Sequence, residues 1–464
     1  MLPIAAKTIF RLQERLLGRR TFAVLKELEA SQTWPRQRLE AMRLERLKLL
    51  VTSAYKYTSY WRSVMAAAGI RPQDIRSLED LRRFPLLDKA TLRSRREDMV
   101  YRAEGPRLKL IRTSGSTNEA LQFYTNSNRE AAINAARIRG HRWVGVDIGD
   151  KEVYFWASPV ELSGQDRLKH LRDAATNQLL TNAVELTEES AGRYVEQWKR
   201  WQPKCIFGYP TSFVLLAKMA ERQGVDLHQL KRYGLEVICT SSEVLGPANR
   251  KIITEAFDLP VYDSYGLREG GFVGHECKHF TMHTTDEQAI LETIDPHTLQ
   301  PTDGEGELVV TNLTGLVMPV IRYRTGDIAA LSSAACPCGR TLGGITVSGG
   351  RLVDFILTDK GKWVAGYGFI YICRSVKGIV KFQVRQDRMG EIRVLLVTDE
   401  NFPPDGREQV AAGVRARLAS TDKIVVELVD DIPPAPSGKY RPVVSKVAQQ
   451  RGEGLTLADA PADE

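Results

Sequence analysis

The sequence predicts an α/β protein, with a large α/β domain entered through a helical region and followed by a small α+β domain. Three observations carry this. Residues 1–105 place apolar side chains at helical spacing among Arg, Lys and Glu. From about Leu108, short apolar runs alternate with helical stretches. From about Glu305 the pattern turns β-rich, and beyond a glycine-rich junction at 343–350 it closes in a short α+β pattern.

In the first region, Leu39, Met42, Leu47, Leu50 and Val51 recur on one helix face, and Pro72 and Pro85 interrupt the pattern. Residues 9–28 fit one amphipathic basic helix, expected to pack on the protein itself rather than on a membrane surface. Leu108-Lys109-Leu110-Ile111-Arg112 reads as a strand running into a tight turn. Further strands are expected at 152–156, 205–208, 235–239 and 260–264, with helices at 190–201, 211–222 and 247–257. That alternation is the signature of a largely parallel sheet. Strands at 306–310 and 318–323 follow. Past a domain boundary near Gly350, strands are expected at 379–385, 392–398 and 423–429, with a helix at 407–418. The chain is thus divided into 1–105, 106–350, 351–448 and a small, acidic, polar tail at 449–464, expected to be disordered.

A chain of 464 residues is too long for one core, and 43% hydrophobic with 26% charged residues is ordinary for a folded protein. The net charge of +8 suits anionic partners such as nucleotides, CoA or a membrane surface. It does not demand nucleic acid, and no basic–aromatic RNA-binding pattern is present. Six cysteines in this length do not make a disulfide framework, and Cys205, Cys239 and Cys373 read as packing residues. No signal-peptide pattern is visible, and no stretch approaches the ~20 apolar residues of a transmembrane helix, so a cytoplasmic location is expected. The sequence is compatible with a homodimer and does not specify the oligomeric state.

Four segments can divide the handling of a nucleotide between them. Thr113-Ser114-Gly115-Ser116-Thr117 packs hydroxyls around a glycine just after a strand, where N–H and O–H donors can meet phosphate oxygens. Thr240-Ser241-Ser242-Glu243 precedes Tyr265-Gly266-Leu267-Arg268-Glu269, in which an aromatic can stack on a purine and a carboxylate can hold Mg²⁺. In Arg322-Tyr323-Arg324-Thr325-Gly326-Asp327, the Asp after a tight turn can accept from two ribose hydroxyls. Ser437-Gly438-Lys439, after Pro433-Pro434, carries a cation on a glycine-hinged loop.

In this order the four segments resemble the adenylate-forming superfamily of acyl-CoA synthetases, luciferases and peptide-synthetase adenylation domains. The resemblance is greatest to its phenylacetate–CoA ligase and CapK branch. It runs over about residues 55–447 and includes Tyr57-Thr58-Ser59-Tyr60-Trp61, Phe84-Pro85-Leu86-Leu87-Asp88-Lys89, Glu305-Gly306-Glu307-Leu308-Val309-Val310-Thr311 and Lys381-Phe382-Gln383-Val384-Arg385-Gln386. It implies a large adenylate-forming domain and a small C-terminal domain that rotates. The implied reaction is ATP-dependent activation of a small carboxylic acid as an acyl-adenylate, which passes to an acceptor. Thr113, Ser114, Gly115, Ser116 and Thr117 would bind the phosphates, Ser241, Ser242 and Glu243 the adenine pocket, and Tyr265 the base. Glu269 would hold Mg²⁺, Asp327 the ribose with help from Arg351, Asp354 would lie at the hinge, and Lys439 would catalyse adenylation.

Two departures bear on this. Asn118-Glu119-Ala120 stands where the family's loop continues Gly-x-Pro, and Gly366-Tyr367-Gly368-Phe369-Ile370-Tyr371 lacks the Pro and Glu of CoA-forming members. CoA and an amine or sugar therefore both stand as acceptors, and a degenerate nucleotide-binding protein stands as a third reading. Tyr209, in Gly208-Tyr209-Pro210-Thr211-Ser212, reads equally as a wall of the acyl pocket or as a packed aromatic, while Phe155 and Trp156 read as core.

His275-Glu276-Cys277-Lys278-His279 matches the H-E-x-x-H protease pattern, but the glycines before it and the strand-like 280–285 after it are not helical, so that chemistry is not expected. Cys277 and His283 with Cys336-Pro337-Cys338 form three thiolates and one imidazole, a set suited to structural Zn²⁺, with His279 as the alternative ligand and three free thiols as the alternative reading. Some proteins of the resembling branch have a similar arrangement. His141, His170, His228 and His297 read as surface or internally satisfied histidines.

Overall fold

The computed structural model describes residues 1–103, 108–112, 122–156, 172–183, 185–186, 188–295, 298–349, 355–360, 363–365, 369, 372–373, 375–432 and 442–447. The helices used below are α1 (Pro3–Leu16), α2 (Thr21–Ser31), α3 (Arg36–Tyr57), α4 (Ser59–Ala67), α5 (Lys89–Ser94), α6 (Ser127–Trp143), α7 (Glu188–Trp201), α8 (Pro210–Arg222), α9 (Pro247–Phe257) and α10 (Gly406–Leu418). The early strands are β1 (Lys109–Arg112), β2 (Gln122–Thr125), β3 (Glu152–Trp156), β4 (Gln178–Asn182), β5 (Glu185–Leu186), β6 (Cys205–Gly208) and β7 (Val237–Ser241). The middle ones are β8 (Val261–Leu267), β9 (Gly271–Glu276), β10 (Met282–Thr284), β11 (Ala289–Ile294), β12 (Gly306–Asn312), β13 (Tyr323–Ser332) and β14 (Gly344–Gly349). The last are β15 (Phe355–Leu357), β16 (Trp363–Ala365), β17 (Ile379–Arg388), β18 (Glu391–Thr398), β19 (Lys423–Leu428) and β20 (Val443–Ser445).

The chain forms two compact units. Among the described residues, one comprises 1–112, 122–150 and 262–349, and the other 151–261 and 355–447. The stretch 106–350, read from sequence as one core, is thus shared between them.

In the first unit the expected single helix over residues 9–28 is two helices. Gly18 takes a left-handed φ of +66° between α1 and α2, a conformation that costs a glycine little and ends a helix. The helical region buries Leu47, Leu50, Trp61, Met65, Phe84 and Leu87 against Met318, Ile321 and Tyr323, each large side chain contributing roughly 1.5–3 kcal/mol. Trp61 meets its polar need by donating from Nε1 to the Pro319 carbonyl at 2.9 Å. The strands of this unit pair antiparallel in the order β11-β12-β13-β14-β10-β9-β8.

The strand expected over 260–264 is β8, which on its β9 side pairs antiparallel across a short turn, too short for a parallel crossover. One expectation fails here: the strand expected at 318–323 begins only at Tyr323. Pro319 has no N–H for a ladder, and Arg322 is left-handed at φ +50°. The Arg322 guanidinium pays for that geometry, pairing with both oxygens of Glu292 at 3.1 Å and donating to the Phe84 carbonyl at 2.7 Å.

In the second unit β7-β6-β3-β4 is parallel throughout. Its neighbours α7 and α8 bring Trp198 and Phe213 onto Phe155, and Phe257 of α9 packs on Phe213, all fully buried. Cys205, Cys239 and Cys373 are fully buried. The C-terminal residues add a sheet of order β19-β18-β17-β20, against which α10 packs Val410, Val414 and Leu418. The short β16 pairs with β15 on one side and with β5 on the other.

Candidate functional site

The first unit joins two motifs that are 62 residues apart. The Tyr265 phenol, near the end of β8, donates to Asp327 Oδ2 at 2.6 Å. Asp327 is placed by its own turn: its N–H donates to Thr325 Oγ1 at 3.1 Å, Thr325 Oγ1 donates to the Leu308 carbonyl at 2.8 Å, and Gly326 takes φ +75°. Arg324 braces the turn with a 2.6 Å bond to Glu307, whose other oxygen accepts from Gly326 N–H at 3.3 Å.

Glu269 follows Tyr265 on the tight β8–β9 turn and is 6% exposed. Two buried donors fix its backbone carbonyl: Arg129 Nη2 at 3.0 Å and Asn312 Nδ2 at 3.1 Å. Arg129 Nη2 also donates to the preceding carbonyl, that of Arg268. The Glu269 carboxylate itself accepts no hydrogen bond from the described residues. Burial lowers the Arg129 guanidinium to about 10 against the pull of Glu269 and Glu130, so it remains a cation at neutral pH.

In the second unit Ser241 ends β7, Ser242 is left-handed at φ +71°, and Glu243 is buried with Oε2 accepting from the Thr211 N–H at 3.1 Å. Tyr209 caps the start of α8 and stacks on Trp156, ring centroids 4.1 Å apart. Trp156 in turn stacks on Phe207 at 5.5 Å, so Tyr209 belongs to an aromatic wall. Thr113, Ser114, Gly115, Ser116, Thr117, Arg351, Asp354 and Lys439 lie outside the described residues, as do His170, His297 and the tail 449–464.

The Cys/His set converges. One donor atom from each of Cys277, His283, Cys336 and Cys338 lies within 4.8 Å of all the others. Cys277 Sγ is 3.7 Å from Cys336 Sγ, and His283 Nε2 is 3.1 Å from Cys338 Sγ. His283 Nδ1 faces the Leu342 carbonyl at 3.4 Å, which leaves Nε2 turned to the thiols. His279 contributes only its backbone N–H, to Cys277 Sγ at 3.4 Å. Burial pushes the Cys277 thiol up to about 11. The loop carrying Cys336 and Cys338 is tied to the α2–α3 turn, where the Thr341 N–H donates to the Gln32 carbonyl at 3.0 Å and Trp143 Nε1 to Gln32 Oε1 at 2.8 Å. His275 and His279 do not share a helix, since His275 lies in β9, and the protease pattern is without its geometry.

Residues 356–446 match the family model of the CapK C-terminal domain. Over 87% of this chain and 94% of its own length, the phenylacetate–coenzyme A ligase of Aromatoleum evansii is 28% identical. The CapK protein of Staphylococcus aureus is 21% identical over 80% of this chain and 81% of its own length. The chain is thus similar to the phenylacetate–CoA ligases and CapK over most of its length, and to the CapK family in its C-terminal residues. Its fold agrees: the structure of 2-hydroxyisobutyryl-CoA ligase in complex with 2-HIB-AMP and CoA superposes with a TM-score of 0.62 at 19% identity, covering 91% of this chain and 93% of that one.

The sequence motifs single out Tyr265, Glu269 and Asp327 but not Arg129 and Asn312. Arg129 had one local signal. It sits in the first turn of α6, capped by Asn126 Oδ1 accepting from the Arg129 N–H at 3.1 Å, where the helix dipole disfavours a cation. Asn312 had none, because its role depends on a turn more than 40 residues before it.

Proposed function

We propose that this protein is an ATP-dependent, AMP-forming ligase that activates a small carboxylic acid and transfers it to CoA. The observation that carries this is the Tyr265–Asp327 hydrogen bond of 2.6 Å beside the Glu269 turn, which assembles two nucleotide-handling motifs from distant parts of the chain. In the first half-reaction a carboxylate oxygen of the acid attacks the α-phosphorus of ATP, the bond to the pyrophosphate oxygen breaks, and acyl-AMP forms. In the second, the CoA thiol loses its proton to solvent, its sulfur attacks the acyl carbon, and AMP leaves as its phosphate takes back the bonding pair. Tyr265 packs on the adenine, Ser241, Ser242 and Glu243 line its pocket, and Asp327 accepts from the ribose hydroxyls. Thr113 to Thr117 hold the phosphates, Arg351 assists at the ribose, and Tyr209 lines the acyl pocket. Lys439 stabilises the developing charge and is withdrawn when the C-terminal domain turns about Asp354. Mg²⁺, held by Glu269, would supply charge neutralisation at the phosphates.

Zn²⁺ fits Cys277, His283, Cys336 and Cys338, since three thiols and one imidazole converge with no position left for substrate. Its role would be structural. Among the described residues no helix is long and apolar enough to cross a membrane. A cytoplasmic setting goes with the use of ATP and CoA.

ATP–pyrophosphate exchange across aryl, fatty and hydroxy acids, with product formation scored with and without CoA, tests the reading. Acid-dependent exchange followed by CoA-dependent thioester formation is expected. Transfer to an amine or sugar in place of CoA would replace the acceptor, and ATP binding without exchange for any acid would overturn the ligase. Lys439→Ala should lower exchange by about a thousandfold and leave thioester formation from synthetic acyl-AMP intact.

A further inference from the structure

We propose that Arg129 is a positioning residue for Glu269, setting the direction in which that carboxylate meets a divalent cation. This rests on the ligase reading above, in which Glu269 is the Mg²⁺ ligand. The geometry is unusual in three respects. First, one nitrogen of the guanidinium grips two successive carbonyls, those of Arg268 and Glu269. The peptide plane between them cannot rotate without losing a buried charge-assisted bond. Second, Asn312 Nδ2 takes the Glu269 carbonyl from β12 at 3.1 Å, and the Asn312 side chain is itself fixed by the Thr314 N–H and hydroxyl, each at 2.8 Å from Oδ1. The turn is therefore held from a helix and from a strand. Third, Arg129 is 3% exposed, and its Nη1 is buried with no hydrogen-bond partner among the described residues.

A buried guanidinium with one idle donor is an expensive way to fasten a turn. Packing does not require it, because its ring contact among the described residues is the Phe123 face, 4.9 Å from Cζ, which an aliphatic chain would also cover. What an aliphatic chain could not do is hold the Glu269 backbone by the two carbonyls that flank its N–H while leaving the carboxylate unengaged. A ligand held in this way meets a cation without first breaking a salt bridge. Arg129 acts on the nucleotide reaction only through Glu269, and it touches neither substrate nor metal.

The test is the Mg²⁺ dependence of acid-driven exchange in the full chain for Arg129→Met, Arg129→Lys and Asn312→Ala. Support for a cation-bound carboxylate typically accounts for roughly 10–100-fold in metal affinity. Arg129→Met should therefore raise the half-saturating Mg²⁺ by about tenfold or more, while thioester formation from synthetic acyl-AMP stays within about twofold of the parent. Arg129→Lys can reach one carbonyl and should recover part of the affinity. Asn312→Ala should move the same quantity less, and it serves as the measurement if Arg129→Met does not fold. An unchanged Mg²⁺ dependence in folded Arg129→Met, or in Arg129→Lys and Asn312→Ala together, overturns the positioning role. Mn²⁺ binding with a non-hydrolysable ATP analogue, read from the loss of the free Mn²⁺ paramagnetic resonance signal, separates this from failure of the ligase. A parent protein that binds Mn²⁺ and the analogue but exchanges with no acid loses the ligase reading, and weaker Mn²⁺ binding in Arg129→Met would still support positioning. A parent that binds neither overturns both.

Discussion

Two turns at opposite ends of β9 are fastened in opposite ways. The turn before it carries Glu269 and is gripped through its backbone, by Arg129 and Asn312, with no hydrogen bond to the carboxylate from the described residues. The turn after it carries Cys277 and is gripped through side chains, as three thiols and His283 draw together. The difference matches the hardness of the cation each would hold: carboxylate oxygen for Mg²⁺, thiolate and imidazole for Zn²⁺. One helix serves both. Arg129 near the start of α6 reaches the first turn, and Trp143 at its end lies edge-on to His283 with ring centroids 5.8 Å apart. Those two residues are about 21 Å apart along a straight helix, close to the length of the strand beside it. Helix α6 and β9 thus make one rigid pair, packed through Ala135, Ala136, Ile138 and Phe272.

The largest break in this comparison should come from Cys336→Ser/Cys338→Ser. Elemental analysis of the parent should find about one zinc per chain, and the variant close to none, with a stability loss of about 5 kcal/mol by denaturant titration. Equal zinc in both would remove the site. The Mg²⁺ dependence of exchange in any folded variant should not change, because the first turn has its own fastening. Next is Glu287→Gln. Glu287 is fully buried and pairs with Arg139 of α6 at 2.6 and 3.2 Å, also accepting from the Ser31 hydroxyl at 2.6 Å. Removing its charge leaves the Arg139 cation uncompensated, at a cost of about 3–5 kcal/mol, and should loosen both turns together because it frees the helix.

Gly140→Ala sharpens the comparison at the middle of the pair. A Cβ there would lie 2.4 Å from the His275 ring on β9, so the variant should lose about 1–3 kcal/mol by overpacking. A melting temperature equal to the parent's would show that α6 and β9 slide freely, against the rigid-pair account. The smallest effect concerns pH. Burial alone would raise the pKa of Asp286, but the Arg43 and Arg36 charges, the Thr284 hydroxyl and the Gly343 N–H outweigh it and hold it below 3.8. A folded pKa below the unfolded one gives stability that is present above the unfolded value and is lost as pH falls through the folded one. Asp286→Asn should therefore flatten the acid limb of stability below about pH 4 by at most ~1.4 kcal/mol per pH unit. An acid limb as steep as the parent's would count against it.

How far the sequence could be read depended on the range of the interactions. The strands over 152–156 and 205–208 and the helix over 247–257 were legible to the residue, because alternation, turn residues and a proline at the helix start are local signals. The helix break at Gly18 was missed, since basic amphipathic spacing continues across it and only the left-handed backbone interrupts it. The late start of β13 was missed because Arg322 is diverted by Glu292 and by carbonyls near Phe84, partners that no window around residue 322 contains.

The same division holds for the candidate site. Residue type and order alone singled out Tyr265, Glu269, Asp327 and the Cys/His set, since the side chains that can stack on a base, bind a hard cation or bind a soft one are few. Tertiary structure decided the rest: that Tyr265 donates to Asp327, that His283 rather than His279 turns its ring to the thiols, and that a helix-borne arginine holds the Glu269 turn. Those are choices among equally capable side chains. They are made by distances of a few ångströms between segments far apart in the chain, which the packing of α6 on β9 fixes and no local pattern encodes.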